Sequence, residues 1–118
     1  MELIDIFGKE NIFGEIQDHG LAEQKKANQA LVKLAEESGL GLVATNDCHY
    51  LNREDAELQD VLLCIGTGKV LDEEERLRFS SNEFYVKTPE EMAKLFKELP
   101  QALKNTVRIA EICAPEIK

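Results

Sequence analysis

The period of apolar and polar residues changes several times along the chain, and each change marks an element. Leu3, Ile4, Ile6 and Phe7, with Gly8 after them, predict the tail of a helix. Residues 11–17 alternate, with Ile12, Gly14 and Ile16 on one side and Phe13, Glu15 and Gln17 on the other, which predicts a short strand. Asp18-His19-Gly20 is turn chemistry. Beyond it, apolar residues recur at Ala27, Leu31, Leu34 and Ala35, the spacing of an amphipathic helix that ends near Ser38-Gly39. Gly41-Leu42-Val43-Ala44-Thr45 is a brief apolar run left through Asn46-Asp47, as expected of a strand buried on both faces. Strand, helix, strand predicts a parallel βαβ unit with a right-handed crossover and both strand C-termini on one edge.

Asn52 reads as an N-cap, Glu54 and Asp55 suit the positive end of a helix dipole, and Leu58, Val61, Leu62 and Ile65 form a helical stripe. Gly66-Thr67-Gly68 stops that helix. Residues 69–82 hold Asp72-Glu73-Glu74-Glu75 beside Arg76 and Arg78 and predict an exposed loop with one short turn. Phe84-Tyr85-Val86 predicts a short edge strand. Thr88 as N-cap, Pro89 at N1 and Glu91 at N3 form a capping box for a helix with Met92, Leu95, Phe96 and Leu99 on one face. Pro100 ends it, and a last helix carries Leu103, Thr106, Val107, Ala110 and Cys113. The fold class is α/β, a βαβ unit followed by a mostly helical C-terminal segment.

Composition narrows the function classes. At 118 residues, 43% apolar and 6% aromatic, the default is one globular domain that buries a core without staples. With 14 basic against 23 acidic residues the net charge is −9, which repels phosphate backbones and disfavours a stand-alone DNA-binding module; no direct nucleic-acid patch is evident. No apolar run approaches the roughly 20 residues that span a bilayer, and the N-terminus shows no secretory pattern. Cys48, Cys64 and Cys113 are odd in number and far apart, which fits neither a disulfide framework nor a CxxC site, so a reducing cytoplasm is expected.

Both histidines follow predicted strand ends, where parallel sheets gather their chemistry. Asp47 and His49 are two apart in a segment read as extended, so their side chains project together while Cys48 points oppositely. A carboxylate and an imidazole on one side can share Zn²⁺, Mn²⁺ or Fe²⁺. The spacing equally allows a hydrogen-bonded loop pair, and a catalytic zinc takes at least three protein ligands. Asp18 and His19 could add to the set, but Asp-His-Gly favours a turn in which Asp accepts backbone N–H bonds. Cys48 and Cys64 read as small core hydrophobes and Cys113 as part of a helix face. Lys25 and Lys26 read as an outer helix face; Lys94, Lys97, Lys104 and Arg108 do so too, or form a weak anion-facing surface. Gly66-Thr67-Gly68 lacks the spacing of a phosphate-binding loop.

Several strings together resemble a known family. They are Phe7-Gly8-Lys9-Glu10-Asn11, Glu15-Ile16-Gln17-Asp18-His19-Gly20-Leu21, Ala44-Thr45-Asn46-Asp47-Cys48-His49-Tyr50-Leu51 and Leu62-Leu63-Cys64-Ile65-Gly66-Thr67-Gly68, then Phe84-Tyr85-Val86-Lys87 and Ile109-Ala110-Glu111-Ile112-Cys113. In order and spacing they resemble the bacterial DNA polymerase III alpha-subunit family, in the later part of its polymerase-and-histidinol-phosphatase (PHP) domain. The resemblance implies a piece of a (βα)₇ PHP-type barrel whose strand ends gather up to nine ligands around three metals. Asp-x-His is that family's last ligand motif, so Asp47 and His49 are carried over as metal ligands. Asp18 and His19 match a recurrent string but no ligand motif. Metal-keeping members are linked to 3′–5′ exonuclease proofreading and others are structural; retention of His49 points to the former. Gly14 replaces a larger apolar residue and Cys48 an aliphatic one.

The resemblance also turns the length into a boundary within a longer chain. Residues 1–70 would be the C-terminal portion of the PHP domain, and 71–118 an acidic loop and helices leading toward the polymerase palm. The His-x-His motif and other ligands would precede residue 1; the palm, fingers and Mg²⁺-dependent polymerase site would follow residue 118. The expectation is a fragment of a nucleotidyltransferase that serves DNA replication with DNA, deoxynucleoside triphosphates and other replisome subunits as partners, inactive and weak in metal binding when isolated. Two rivals stand beside it: a small metal-dependent phosphoesterase using Asp18, His19, Asp47 and His49, and a non-catalytic replisome interaction module with the acidic loop at 72–75 as its docking surface.

Overall fold

A computed structural model describes residues 2–113. The chain opens on α1 (Glu2–Phe7), and a 3₁₀ turn at Lys9–Asn11 delivers it to strand β1 (Phe13–Ile16). Helix α2 (Ala22–Ser38) crosses to strand β2 (Gly41–Ala44), and the strands pair in parallel from Phe13 opposite Gly41 to Ile16 opposite Ala44. The expected βαβ unit is therefore present. Gly39 adopts φ 67°, a left-handed conformation that costs a residue without Cβ little, and its N–H closes the last turn onto the Ala35 carbonyl at 2.7 Å.

The inward face of α2 is rotated from the expected one. Ala27 is exposed and Leu34 is 43% exposed, whereas Asn28, Leu31 and Ala35 face the sheet. The cause is Asn28, whose Nδ2 donates to the Gln17 carbonyl at 2.7 Å. An amide that satisfies a backbone acceptor past the strand end holds that position inward despite its polarity.

Strand β2 is not buried on both faces: only Ala44 is, while Gly41, Leu42 and Val43 are half-buried. The described sheet has two strands, and α5 (Pro100–Ile112) is the other element lying closely against β2. Gly14 has a packing reason, since a Cβ there would lie 3.0 Å from Leu42 Cδ2. Leu42 thus occupies the room that a larger residue at position 14 would take.

The helix after β2 begins as a 3₁₀ turn, Arg53–Asp55, held by an Asn52–Asp55 capping box, and continues as α3 (Ala56–Thr67). Its stripe faces out: Leu58, Leu62 and Ile65 are each at least 60% exposed, and only Cys64 is buried. Residues 69–82 form the expected loop with a turn at Glu73 N–H to Val70 O. It is pinned by a bidentate Arg76–Asp60 pair and a Lys69–Glu73 contact of 2.6 Å. Phe84-Tyr85-Val86 makes a single parallel bridge, Tyr50 to Tyr85, in place of an edge strand.

Helix α4 (Pro89–Leu95) has the expected Thr88–Glu91 capping box and stops at Phe96. Pro100 then opens α5, whose buried residues are Ala102 and Asn105; Thr106, Val107, Ala110 and Cys113, expected on the packed face, are exposed. Asn105 Nδ2 donates to the Leu42 carbonyl at 2.7 Å, so a polar side chain again takes the inward position. The core is Ile16, Ala44, Phe96 and Ala102, with Leu31, Leu42, Met92, Leu95, Leu99 and Leu103 around it. The radius of gyration is 17.3 Å, against about 13.5 Å for a compact domain of this length. The open shape agrees with the small core and the bare α3 stripe, and departs from a self-sufficient globule. No described helix is long and apolar enough to cross a membrane.

Candidate functional site

Asp47 and His49 stand just past the C-terminal end of β2, and the structure brings them together. Asp47 Oδ2 lies 3.3 Å from His49 Nε2, with the two side chains 51% and 36% exposed. The route differs from the extended segment expected. Asp47 has φ 46° and is the only described non-glycine residue with positive φ. A left-handed residue with a Cβ costs about 1–2 kcal/mol, less for Asp, whose short polar side chain tolerates it. The kink, rather than strand alternation, turns the carboxylate toward the imidazole.

The His49 ring is fixed by aromatic edges. Phe79 meets it at 4.7 Å and Phe84 at 5.8 Å, both near perpendicular, and its backbone N–H donates to the Phe84 carbonyl at 2.8 Å. Cys48 is exposed and is not a core residue; its thiol donates to the Tyr85 carbonyl at 3.6 Å. Cys113 is also exposed.

Behind the pair lies a buried polar brace. Asn46 is 8% exposed; its Nδ2 donates to the Tyr85 carbonyl at 2.7 Å, and its Oδ1 accepts from Lys87 Nζ at 3.0 Å. The Lys87 side chain is only 4% exposed, and its ammonium also reaches the Glu83 carboxylate at 3.3 Å. The Asn46 carbonyl accepts from His19 Nε2 at 2.8 Å. His19 Nδ1 in turn accepts from the Gln24 amide at 2.7 Å, which assigns the proton to Nε2. His19 is 1% exposed and stacks on Phe84 at 3.9 Å. Asp18 caps its turn, accepting the Gly20 N–H at 2.9 Å, as expected. Asp18, His19, Asp47 and His49 therefore do not converge on one point; both ring nitrogens of His19 are already bonded.

A second layer ties residues 50–53 to residues 83–91. Arg53 and Lys87 both lie over the Tyr85 ring, at 4.8 and 4.3 Å from its centroid. Arg53 Nη2 donates to the Tyr85 hydroxyl at 3.0 Å, which raises the guanidinium pKa above its ordinary value. The hydroxyl donates to Glu91 at 2.7 Å; that bond, helped by burial, pushes the phenol up. Glu91 is held below the usual carboxylate range by the Thr88 N–H first and by Tyr85 second.

Asp47 and His49 pass a test of spacing for a shared cation. Adjacent vertices of a tetrahedron with bonds of about 2.0–2.2 Å are about 3.3–3.6 Å apart, and the observed separation is 3.3 Å. Among the described residues, however, no group of three or more His, Cys, Asp or Glu is placed to hold a metal. The pair is at most two vertices of a larger set. Both residues carry a signal in the sequence, whereas the brace does not: no periodic pattern marks Lys87 or Asn46.

Comparison with curated proteins decides the relationship. Over 108 residues, 92% of this chain, it is 52% identical to the DNA polymerase III subunit alpha of Borreliella burgdorferi, covering 9% of that protein. It is 51% identical over 95% of its length to that of Thermus aquaticus, and 44% identical over 98% to that of Helicobacter pylori. The chain is homologous to one segment of the DNA polymerase III alpha subunit. It spans about a tenth of the length of these relatives. No family model matches it. The Asp47–His49 pair and its brace thus lie within the segment that is similar to these alpha subunits.

Proposed function

We propose that the chain is the later part of the PHP domain of a replicative DNA polymerase III alpha subunit, with residues 1–70 in a (βα)₇-type barrel and residues 71–118 leading toward the polymerase palm. In this reading Asp47 and His49 are two ligands of a divalent cation, Zn²⁺, Mn²⁺ or Fe²⁺, and the remaining ligands come from other parts of the subunit. The observation that carries the metal role is the 3.3 Å juxtaposition of Asp47 and His49 at the carboxyl end of a parallel strand. The bare stripe of Leu58, Leu62 and Ile65 and the two-stranded sheet support a unit that packs within something larger.

Bound there, the cation would supply an activated water and positive charge for phosphodiester hydrolysis. Asp47 brings an anionic oxygen. His49 brings the lone pair of Nε2, which requires its proton on Nδ1. Phe79 and Phe84 hold the imidazole plane so that Nε2 stays beside the carboxylate. The subunit's nucleotidyl transfer from deoxynucleoside triphosphates, with Mg²⁺, takes place outside this chain, as do its contacts with DNA and other replisome subunits. The isolated chain catalyses neither reaction.

The test uses the full-length alpha subunit that carries this segment, assayed for Mn²⁺-dependent removal of a mismatched 3′ nucleotide and, separately, for primer extension. Loss of a metal's outer hydrogen-bond partners costs about 10–100-fold, so Asp47→Asn or His49→Ala is expected to lower excision at least about a hundredfold and leave extension intact. Unchanged excision in both variants would overturn the metal role.

A further inference from the structure

Two polar side chains around Asn46, His19 and Lys87, are buried without belonging to the proposed ligand pair, and they converge on the residue just before the kink. His19 holds the Asn46 carbonyl from one side at 2.8 Å, and Lys87 holds its side-chain oxygen from the other at 3.0 Å. The Asn46 amide is tied to the Tyr85 carbonyl at 2.7 Å. Asn46 is thereby fixed at both its backbone and its side chain. The next residue is Asp47, at φ 46°. His19 reaches the far side of the pair as well: its ring stacks on Phe84, whose carbonyl receives the His49 N–H at 2.8 Å.

We propose that His19 is a positioning residue for the Asp47–His49 pair, acting with Lys87 through Asn46 to impose the left-handed turn at Asp47 that sets carboxylate and imidazole on one cation. The proposal deepens the metal reading above and rests on it. Its chemistry follows from the hydrogen bonds. A backbone held in a sparsely populated region persists only where its surroundings over-determine it. Here the fixed points are the Nε2–H donor of His19 and the ammonium of Lys87, both buried, so their bonds do not exchange freely with water. His19 itself contacts no metal in this scheme; its Nε2 proton is spent on the Asn46 carbonyl.

The experiment is nuclear magnetic resonance on the 118-residue chain, first metal-free and then titrated with Mn²⁺ to millimolar concentration, with line broadening read at Asp47 and His49. Two substitutions separate positioning from bulk. His19→Gln places an amide N–H near the position of Nε2 and keeps the donor; His19→Asn places it near Nδ1 and loses it. Both remove the ring and its stacking on Phe84, so a role confined to packing would affect them alike. The expected result is that His19→Asn loses the metal-free Overhauser contacts between the Asp47 β protons and the His49 ring and weakens Mn²⁺ at least about tenfold, while His19→Gln keeps the contacts and stays within about threefold. Lys87→Met leaves the His19 stack in place and should reproduce the His19→Asn result, which covers the case in which His19→Asn does not fold. Retained contacts and unchanged Mn²⁺ broadening in His19→Asn or Lys87→Met overturn the proposal and leave the metal reading standing. Absence of broadening at Asp47 and His49 in the unsubstituted chain, with the Overhauser contacts present, overturns the role given to His19, since the pair as positioned then holds no cation; the metal reading of the whole subunit is decided separately by the excision assay.

Discussion

Asn105→Ala and Val107→Ala form a pair in which the polar residue should matter and the apolar one should not. Asn105 is 4% exposed and donates to the Leu42 carbonyl at 2.7 Å; Val107 is 60% exposed on the same helix. Truncating Asn105 removes this bond and the one its Oδ1 accepts from Gln101 Nε2 at 3.2 Å, and leaves the Leu42 carbonyl without that donor, a cost of about 1–3 kcal/mol. Alanine is the better helix former by about 0.7 kcal/mol, so the net loss is about 0.3–2.3 kcal/mol. Val107→Ala gains the same propensity and gives up little burial, so it is neutral within about 0.5 kcal/mol. At this length 1 kcal/mol shifts the melting temperature by about 4 °C, which predicts a fall of about 1–9 °C for Asn105→Ala and little change for Val107→Ala. Thermal unfolding followed by circular dichroism, with a urea series to confirm a two-state transition, measures both. If Val107→Ala costs as much as Asn105→Ala, the inward face of α5 is wrongly assigned and the carbonyl bond is not what holds that helix to β2.

Other outcomes follow from charge and exposure. Asp60 is held below the usual carboxylate range by Arg76, Glu73 by Lys69, and Glu91 by the Thr88 N–H and Tyr85. Depressed folded-state values stabilise above the unfolded pKa of about 4 and lose that contribution as pH falls through the folded values; melting temperature should hold steady from pH 7 to 5, drop below about 4, and drop less in Asp60→Asn. At the alkaline end the raised Tyr85 phenol contributes below its ordinary value of about 10 and loses the contribution as pH rises through the folded value; ultraviolet titration of a Tyr50→Phe variant should show ionisation displaced upward. Calorimetry with Zn²⁺ or Mn²⁺ on the isolated chain should show only weak binding, and a submicromolar stoichiometric site abolished by His49→Ala would contradict the two-ligand reading. Cys48 and Cys113 should react quickly with a thiol reagent and Cys64 only on unfolding, since the first two are exposed and the last is buried.

The parts of the fold that pattern reading reached are those with a local physical signal. The Thr88–Glu91 box, the left-handed Gly39 cap and the parallel βαβ unit all stand as expected. The faces of α2 and α5 did not follow from apolar spacing, because Asn28 and Asn105 face inward to satisfy the Gln17 and Leu42 carbonyls. Counting hydrophobic residues assigns such positions to solvent; only the backbone acceptor opposite them reveals the need. The α3 stripe was legible as helical, but its exposure depends on what packs there, which no spacing encodes. At the site, Asp-x-His singled out two residues that the fold brings within 3.3 Å of each other. The positive φ of Asp47 was hidden, since Asp occurs in strands, turns and kinks alike, and the brace joins residues 19, 46 and 87 across distances in sequence that no motif spans.

The central claim is that Asp47 and His49 ligate a metal within a DNA polymerase III alpha subunit. Its most direct test is the metal content of the purified full-length subunit, measured by inductively coupled plasma mass spectrometry beside an Asp47→Ala/His49→Ala variant that elutes as a folded protein. The account predicts tightly held Zn, Mn or Fe in the unsubstituted subunit and the loss of at least one equivalent in the variant. Equal metal content in the two proteins would contradict it.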